Sequence, residues 1–470
     1  SGLIDARALL IAGYLLAGAA ALAYELLWMR MLTILLGAGS ESAIVTSGAF
    51  MLGLGAGAWL GAHRPRHTPV RLLLWGVAAL EAALAGLALA SGVWGKGLDA
   101  AADALAAALG WAWAAALVAG IAMVVPAWLM GVGFGWAARA AKPLKLPLGY
   151  LYGANTLGAA LGALWPLVAM PRWGWWVALR WAAMLGLMGA TCLGWAGARA
   201  GGLEAGVPET QRGEQRTALF AYALVGAAAL MLEMGWMRLF GAVFMRTEYV
   251  MALLLAVYLA GIGLGGWLAH HIGRRWLAWL VPVASVWACL SVALLPQVAR
   301  LWSAQGFGSY AQALGVAGIA VAVAMLPITL LLGLWLPWAA GRDEGGRWYA
   351  ANSLGAALGA WVGGGAGLAW LGAPRIVVVA SLLLWLAASA WVRRGAWLAG
   401  AAFVVPAALW AWPLAPSTAY LADSQGAREL FRHEDALAWT SVVARADGTR
   451  MLVQDLRRMD AATDPTAVFV

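Results

Sequence analysis

The residues that could do chemistry in this chain are few, and they sit in unusual places. Glu25, Glu81 and Glu233 each interrupt a long apolar run. A carboxylate in such a run costs several kcal/mol unless it is paired, protonated or wetted, so each is a candidate functional group by default. Glu25 lies in Tyr24-Glu25-Leu26-Leu27-Trp28-Met29-Arg30, and Glu233 in Leu232-Glu233-Met234-Gly235-Trp236-Met237-Arg238. Within each stretch, Glu and Arg are five residues apart, roughly 140° around a helix, so they do not pair on their own helix. Arg30 and Arg238 instead mark where an apolar run meets water. Each glutamate is expected to face the protein interior and find a polar partner within hydrogen-bond reach. Two roles fit these carboxylates, a polar cavity or a buried hydrogen bond that keeps the fold, and the sequence leaves both open. Asn155 and Asn352 are further polar groups in the first turns of apolar runs. They suit either a hydrogen bond across helices or a cavity wall.

The surrounding composition says what positions these groups. Of 470 residues, 64% are hydrophobic and 11% charged, and the mean hydropathy is +0.80. An ordinary soluble domain carries roughly 25% charged residues. Lipid is therefore the solvent for most of this chain, which excludes a soluble enzyme, a disordered chain, a coiled coil and a disulfide scaffold. Cys192 and Cys289 lie in apolar runs and read as small buried hydrophobes. No metal site is expected, and His63, His270 and His271 read as interfacial residues at span ends. The net charge of +9 is scattered in short clusters between apolar runs, a membrane-loop pattern and not a nucleic-acid footprint. Many of the 31 tryptophans lie near run ends, among them Trp28, Trp111, Trp113, Trp173, Trp175, Trp276, Trp279, Trp410 and Trp412. Indoles favour that headgroup level.

A membrane helix needs about 20 apolar residues. Candidates lie near 8–28, 43–62, 72–94, 111–137, 149–170, 175–197, 217–237, 249–269, 276–296, 313–340, 349–371, 376–392 and 396–414. Pro126 and Pro327 are expected to kink or break their runs. The first run is long enough to span and holds Glu25, so it reads as a span and not as a cleaved leader. Loops after even-numbered spans carry 15 Lys and Arg, from Arg64 to Arg394, against 8 on the other side. That bias puts the N-terminus in the cytoplasm and a tail after thirteen spans outside, in the periplasm of a bacterial inner membrane.

The chain repeats itself. The two glutamate stretches are offset by 208 residues. At the same offset Gly53-Leu54-Gly55-Ala56-Gly57 matches Gly261-Ile262-Gly263-Leu264-Gly265. At an offset of 197, Tyr152-Gly153-Ala154-Asn155-Thr156-Leu157-Gly158 matches Tyr349-Ala350-Ala351-Asn352-Ser353-Leu354-Gly355, and Gly162 matches Gly359. Residues 1–200 and 217–392 are thus two copies of a six-span unit, joined by a polar linker at 201–216. Six is even, so the copies share one orientation, as in the halves of major-facilitator transporters. The fold class is an all-α polytopic membrane protein with two parallel six-helix repeats and one extra span at 393–416. The glycines at 53, 55, 57, 261, 263 and 265 follow no strand, so they read as helix-packing positions and not as a nucleotide loop. The Gly158/Gly162 and Gly355/Gly359 pairs read the same way.

After Pro416 the chain turns polar. Ala438–Arg445 and Thr449–Gln454 flank Asp447-Gly448, a hairpin signature, and Asp464–Val470 looks like the start of another element. The segment 417–470 is short for an independent core, so it is expected to dock on the membrane part or to begin a larger domain.

Taken together, the Tyr-Glu-x-x-Trp-x-Arg opening, the glycine-rich second span, the Tyr-x-x-Asn-[Thr/Ser]-x-Gly-Ala-x-Leu-Gly span and the late hairpin resemble bacterial fused transporter-like/spermidine synthase-like membrane proteins. The resemblance implies a small β subdomain leading into a Rossmann-type methyltransferase-like fold. Such a domain would use decarboxylated S-adenosylmethionine and hold a polyamine through carboxylates. The matching residues here are 430–459, and Asp455 is the one site residue carried over. Where such proteins follow the second strand with Asp-Gly or Asn-Gly, this chain has Asp455-Leu456-Arg457-Arg458. The implied glycine loop and acidic residues do not occur within these 470 residues, so no aminopropyltransferase activity is expected of them alone. The alternative expectation is a transporter-like or scaffold membrane protein, for instance for a small organic cation, with a non-catalytic tail. The bilayer is the one partner implied.

Overall fold

The computed structural model describes residues 2–37, 40–63, 67–206, 214–244, 247–341, 345–422, 426–435 and 438–461. Arg64, Arg66, Arg212, Arg246 and Arg342 of the charge pattern, and the Asp464–Val470 stretch, lie outside the described residues.

Among the described residues, thirteen helical passes follow one another. The first six are α1 (Gly2–Leu36), α2 (Ser40–Ala62), α3 (Val70–Leu89), α4 (Trp111–Ala141) and the helix Leu148–Arg199, which Gly174 divides into α5 before it and α6 after it. The next six are α7 (Glu214–Phe244), α8 (Glu248–Leu268), α9 (Leu277–Ala293), α10 (Tyr310–Ala340), α11 (Gly346–Trp361, continued by a π-helical turn and Leu368–Leu371) and α12 (Ala373–Ala388). Last comes α13 (Arg394–Ala411). Eleven of the uninterrupted helices are long and apolar enough to cross a membrane, and α12 is a shorter apolar helix. Each half also carries a short helix between its third and fourth passes, Lys96–Leu109 and Leu295–Ala304.

The corner between fifth and sixth passes is made the same way in both halves. Gly174 has φ 78° and ψ 169°, and Gly372 has φ 77° and ψ 157°. Only glycine takes such a conformation without strain. The prolines do not break their helices. α4 runs through Pro126 and α10 through Pro327 without interruption. Inside a bundle, neighbouring helices and small local adjustments satisfy the backbone groups a proline frees.

Close backbone approach holds each half together. A Cβ on Gly158 of α5 would lie 1.9 Å from the carbonyl oxygen of Leu15 in α1, and one on Gly355 of α11 would lie 1.8 Å from that of Ala223 in α7. Gly162 and Gly359 face Ala19 and Ala227 at 2.2 and 2.3 Å in the same sense. Gly57 packs on Trp128 of α4 and Gly265 on Leu330 of α10, both at 2.1 Å. Gly53 and Gly261 press on the same partner helices, at Val124 and Thr329. The halves meet by the same device. Gly55 of α2 rests on Leu354 of α11, and Gly263 of α8 rests on Leu157 of α5. The α1–α5/α7–α11 and α2–α11/α8–α5 pairs follow the offsets of 208 and 197 read in the sequence.

Trp28 departs from the interfacial reading. It is fully buried, stacked on Tyr24 with ring centroids 5.4 Å apart. Trp175 is half-buried and donates its indole N–H to Leu27 O at 2.9 Å. Packing demand near the α1 end outweighs the headgroup preference. Trp111, Trp113, Trp173, Trp276, Trp279, Trp410 and Trp412 are exposed.

The tail holds more strands than one hairpin. β1 (Arg428–Glu434), β2 (Trp439–Ala444), β3 (Arg450–Gln454) and β4 (Arg457–Ala461) form an antiparallel meander in sequence order. Thr449 N donates to Asp447 Oδ1 at 2.8 Å in the β2–β3 turn, where Gly448 has φ 85°. The β3–β4 turn is built from Asp455 (φ 46°) and Leu456 (φ 62°). A two-residue hairpin turn wants positive φ at both positions, which is why Asn-Gly and Asp-Gly dominate there. Leu456 takes the strain and packs against the main apolar cluster.

A side chain at the tightest crossing is therefore predicted to separate α7 from α11. Gly355→Val should lower stability by about 3 kcal/mol or more, since the clash is with backbone. Gly315→Ala, where nothing lies within 4 Å, should be neutral. Thermal melting of the purified protein in detergent checks both.

Candidate functional site: paired carboxylates between the halves

Glu25 and Glu233 occupy matching positions on α1 and α7, the first helix of each half. Glu25 is 6% exposed and Glu233 is half-buried. The two are close enough for their charges to repel. On α1, Leu22 and Leu26 flank Glu25 and pack toward α5 and α8. On α7, Leu230 and Met234 flank Glu233 and pack toward α11. Tyr349 of α11 is within electrostatic reach of Glu25, and Tyr258 of α8 within reach of Glu233. The Tyr258 hydroxyl donates to Ala229 O at 2.7 Å.

Among the described residues no hydrogen bond or ion pair reaches either carboxylate, so the expected polar partners are not there. The reason is geometric. The repeat brings both acids toward the seam between the halves, where the side chains that flank them, Leu22, Leu26, Leu230 and Met234, are apolar and the Tyr258 hydroxyl is already committed to Ala229 O.

An aromatic layer lies on the N-terminal side of the pair. Phe134 of α4 stacks on Tyr349 at 4.0 Å, Tyr152 of α5 meets Tyr349 edge-on at 6.2 Å, and Tyr14 of α1 meets Phe134 at 6.4 Å. Tyr152 and Tyr349 open the two copies of the Tyr-x-x-Asn motif. Sequence reasoning fixed on Asn155 and Asn352, yet each tyrosine stands three residues earlier, on the same helix face. Both asparagines are half-buried. Their backbone carbonyls lie where Gly18 and Gly226 leave room. Arg139, counted in the sequence as a loop charge, is fully buried and donates to Gly206 O at 3.3 Å. Glu81 stands apart, 8% exposed on α3 inside the first half.

The motif arginines have diverged. Arg30 is exposed and lines an open groove with Pro166, Pro171 and Tyr249. Arg238 is 8% exposed, donates to Asp435 O at 3.1 Å and lies 3.9 Å from Asp455. Asp455 Oδ1 also accepts from Trp439 N at 3.0 Å. Alongside, Glu434 accepts the Ala373 N–H at 2.9 Å at the start of α12, and its other oxygen meets Arg432 at 3.0 Å. Arg432 covers the Trp439 ring at 4.1 Å and donates to Ala415 O at 2.9 Å. Burial against Trp439 pushes the Tyr420 phenol up to about 12, with Arg432 pulling the other way. These anchors belong to α7, α12 and the α13 exit, so the tail sits on the face opposite the N-terminus.

No family model matches the chain, and no curated protein matches it. Solved structures do. A bacterial homologue of the iron transporter ferroportin, in an outward-facing state, shares 16% identity at a TM-score of 0.51, covering 84% of this chain and 99% of that one. The human organic anion transporter MFSD10 (TETRAN) shares 14% identity at a TM-score of 0.50, covering 82% and 98%. The fold is transporter-like. At these identities the likeness speaks for fold alone. The transporter-like part of the family resemblance is thereby supported, while the spermidine synthase-like part finds no support in these comparisons.

Removing the Arg238 guanidinium takes a charged donor from Asp435 O and a counter-charge from Asp455, a loss of about 1.5–3 kcal/mol. Arg238→Gln is predicted to release the tail, read as faster limited proteolysis after residue 416 with the membrane helices intact. Arg30→Gln should leave tail proteolysis unchanged.

Proposed function

We propose that this chain is a membrane transporter of a small organic cation, which binds between the halves against Glu25 and Glu233. The carboxylate pair carries this reading: two acids at matching positions on equivalent helices, with no ion pair to either among the described residues. A bare carboxylate at such depth costs several kcal/mol, so a ligand bearing positive charge on two groups a few ångströms apart is bound by relieving that cost. The aromatic layer of Tyr152, Tyr349 and Phe134 suits the same ligand, because ammonium groups are attracted to ring faces. Rocking of the two six-helix halves about the seam would expose the pair to either side in turn.

The resemblance to spermidine synthase-like fusions supports a polyamine as the first cation to try. The synthase-like reading of the tail rests on the hairpin, and Asp455 acts in our reading as a strut between Trp439 and Arg238. Decarboxylated S-adenosylmethionine is therefore no part of the proposal. The Lys and Arg bias supports a bacterial inner-membrane location with the N-terminus in the cytoplasm and the tail outside.

Purified full-length chain in proteoliposomes, preloaded with unlabelled putrescine, should take up labelled putrescine by exchange. Each charge-assisted contact is worth about 1.5–3 kcal/mol. Glu25→Gln and Glu233→Gln should each lower exchange at limiting putrescine about ten- to hundredfold while melting like the parent protein. Exchange that survives in the double variant, or is absent from the parent, contradicts the proposal.

A further inference from the structure

Glu81 is not needed for the carboxylate pair, and the fold does not need a carboxylate where it stands. The buried positions Leu73, Val77, Leu84, Ala85 and Ala88 of α3 correspond, at a constant offset of 204, to Leu277, Val281, Ala288, Cys289 and Val292 of α9. That register puts Ser285 where the first half has Glu81. Ser285 donates to Ser381 O of α12 at 3.0 Å, and Cys289 Sγ lies 3.3 Å from Ser381 Oγ. The second half fills the slot with neutral groups that bond to one another, and only the first half places an acid there.

The surroundings of Glu81 contain no cation among the described residues. One helical turn before it, Val77 belongs to the apolar cluster of Tyr14 and Phe134; one turn after it, Leu84 belongs to the cluster of Tyr24 and Trp28. Glu81 is the acid at the seam of the two. From α1, Tyr14 and Tyr24 are both within electrostatic reach. Their hydroxyl protons are already committed, to Gly133 O at 2.8 Å and Ala182 O at 3.1 Å. Each phenol oxygen therefore retains lone pairs for a donor and no proton to give. The α4 stretch that faces α3, Met130–Gly133, has no titratable side chain, and the α6 stretch Ala182–Gly194 has Cys192 alone. Arg139, the cation of α4, lies about 9 Å further along its helix from Gly133 and is engaged at Gly206.

We propose that Glu81 is a proton-binding site, separate from the carboxylate pair, whose proton exchange is coupled to movement of the cation. The coupling half of this statement rests on the transport reading; proton binding does not. A carboxyl group in an apolar seam with no cation beside it is stable when a proton discharges it. α1 links the events. It carries Tyr24 and Glu25 as consecutive residues, so a shift of α1 when Glu25 takes a cation alters the cover over Glu81. The carboxylic acid then gives one proton to water on the face it is opened to, and the carboxylate regains one proton from the other face.

Infrared spectra of the full-length chain in lipid, titrated from neutral to alkaline pH, test proton binding directly. The parent should show a carboxylic-acid carbonyl band with a component that Glu81→Gln removes and that the double variant Glu25→Gln/Glu233→Gln keeps. Glu81→Ser, the residue type that α9 accommodates, should remove the band as well and guards against misfolding of Glu81→Gln. In proteoliposomes, both Glu81 variants should keep putrescine exchange within about twofold and lose the severalfold stimulation by a pH gradient. A band unchanged in both variants overturns the proton site. A band lost while gradient stimulation persists overturns the coupling. A parent with the band but without putrescine exchange leaves the proton site standing and sinks the transport reading alone.

Discussion

A carboxylate carried into a membrane interior has to be met by a positive charge, a proton or water. This protein carries one into the seam between its halves twice over, because a six-helix unit with a glutamate in its first helix is repeated in the same orientation. The repeat puts the two acids at matching positions on equivalent helices, and no hydrogen bond or ion pair among the described residues reaches either. The transport reading depends on that pair. In a soluble protein the pair would be wetted and of little consequence.

Helix packing keeps the pair in place. α1 lies on α5 and α7 on α11 at backbone contact, through Gly158 and Gly355. These contacts make each half a unit, and the halves approach one another as closely: a Cβ on Gly149 of α5 would lie 2.2 Å from the Gly266 carbonyl oxygen of α8, beside the Leu354 and Leu157 contacts of Gly55 and Gly263. The tail, by contrast, is held by one half. Its anchors, Arg238 and the Ala373 N–H, belong to the second half, so it can ride on that half without tying it to the first. Where α11 of the second half runs into the π-helical turn Val362–Gly367, α5 of the first half keeps Pro166 in an α-helix. The two copies are alike in packing and unlike in compliance.

Much of this was legible in the residues. Apolar run lengths gave the thirteen passes, since lipid enforces both length and composition, and the motif offsets gave the parallel repeat. Other features depend on what comes near in space. Trp28 reads as interfacial until Tyr24 and the α1 packing surround it. Arg139 reads as a loop charge until the chain near Gly206 folds over it. Arg30 and Arg238 close the same Glu-x-x-Trp-Met-Arg pattern, and only the docked tail tells them apart. Pro126 and Pro327 leave their helices unbroken because the surrounding bundle compensates for a lost hydrogen bond, while the corner at Gly174 falls in the gap between the 149–170 and 175–197 runs, where run lengths placed it. The missing partners of Glu25 and Glu233 were equally out of reach, as only the assembled seam shows which groups come near.

The central claim is that two carboxylates act together on one ligand. Titration calorimetry on the full-length chain, with putrescine and with butylamine, tests it most directly because the two ligands differ in one ammonium group. The account predicts one putrescine bound per chain, at least about tenfold more tightly than butylamine, with the preference lost when either Glu25 or Glu233 becomes glutamine. Equal affinity for the two amines, or an undiminished preference in those variants, would contradict it.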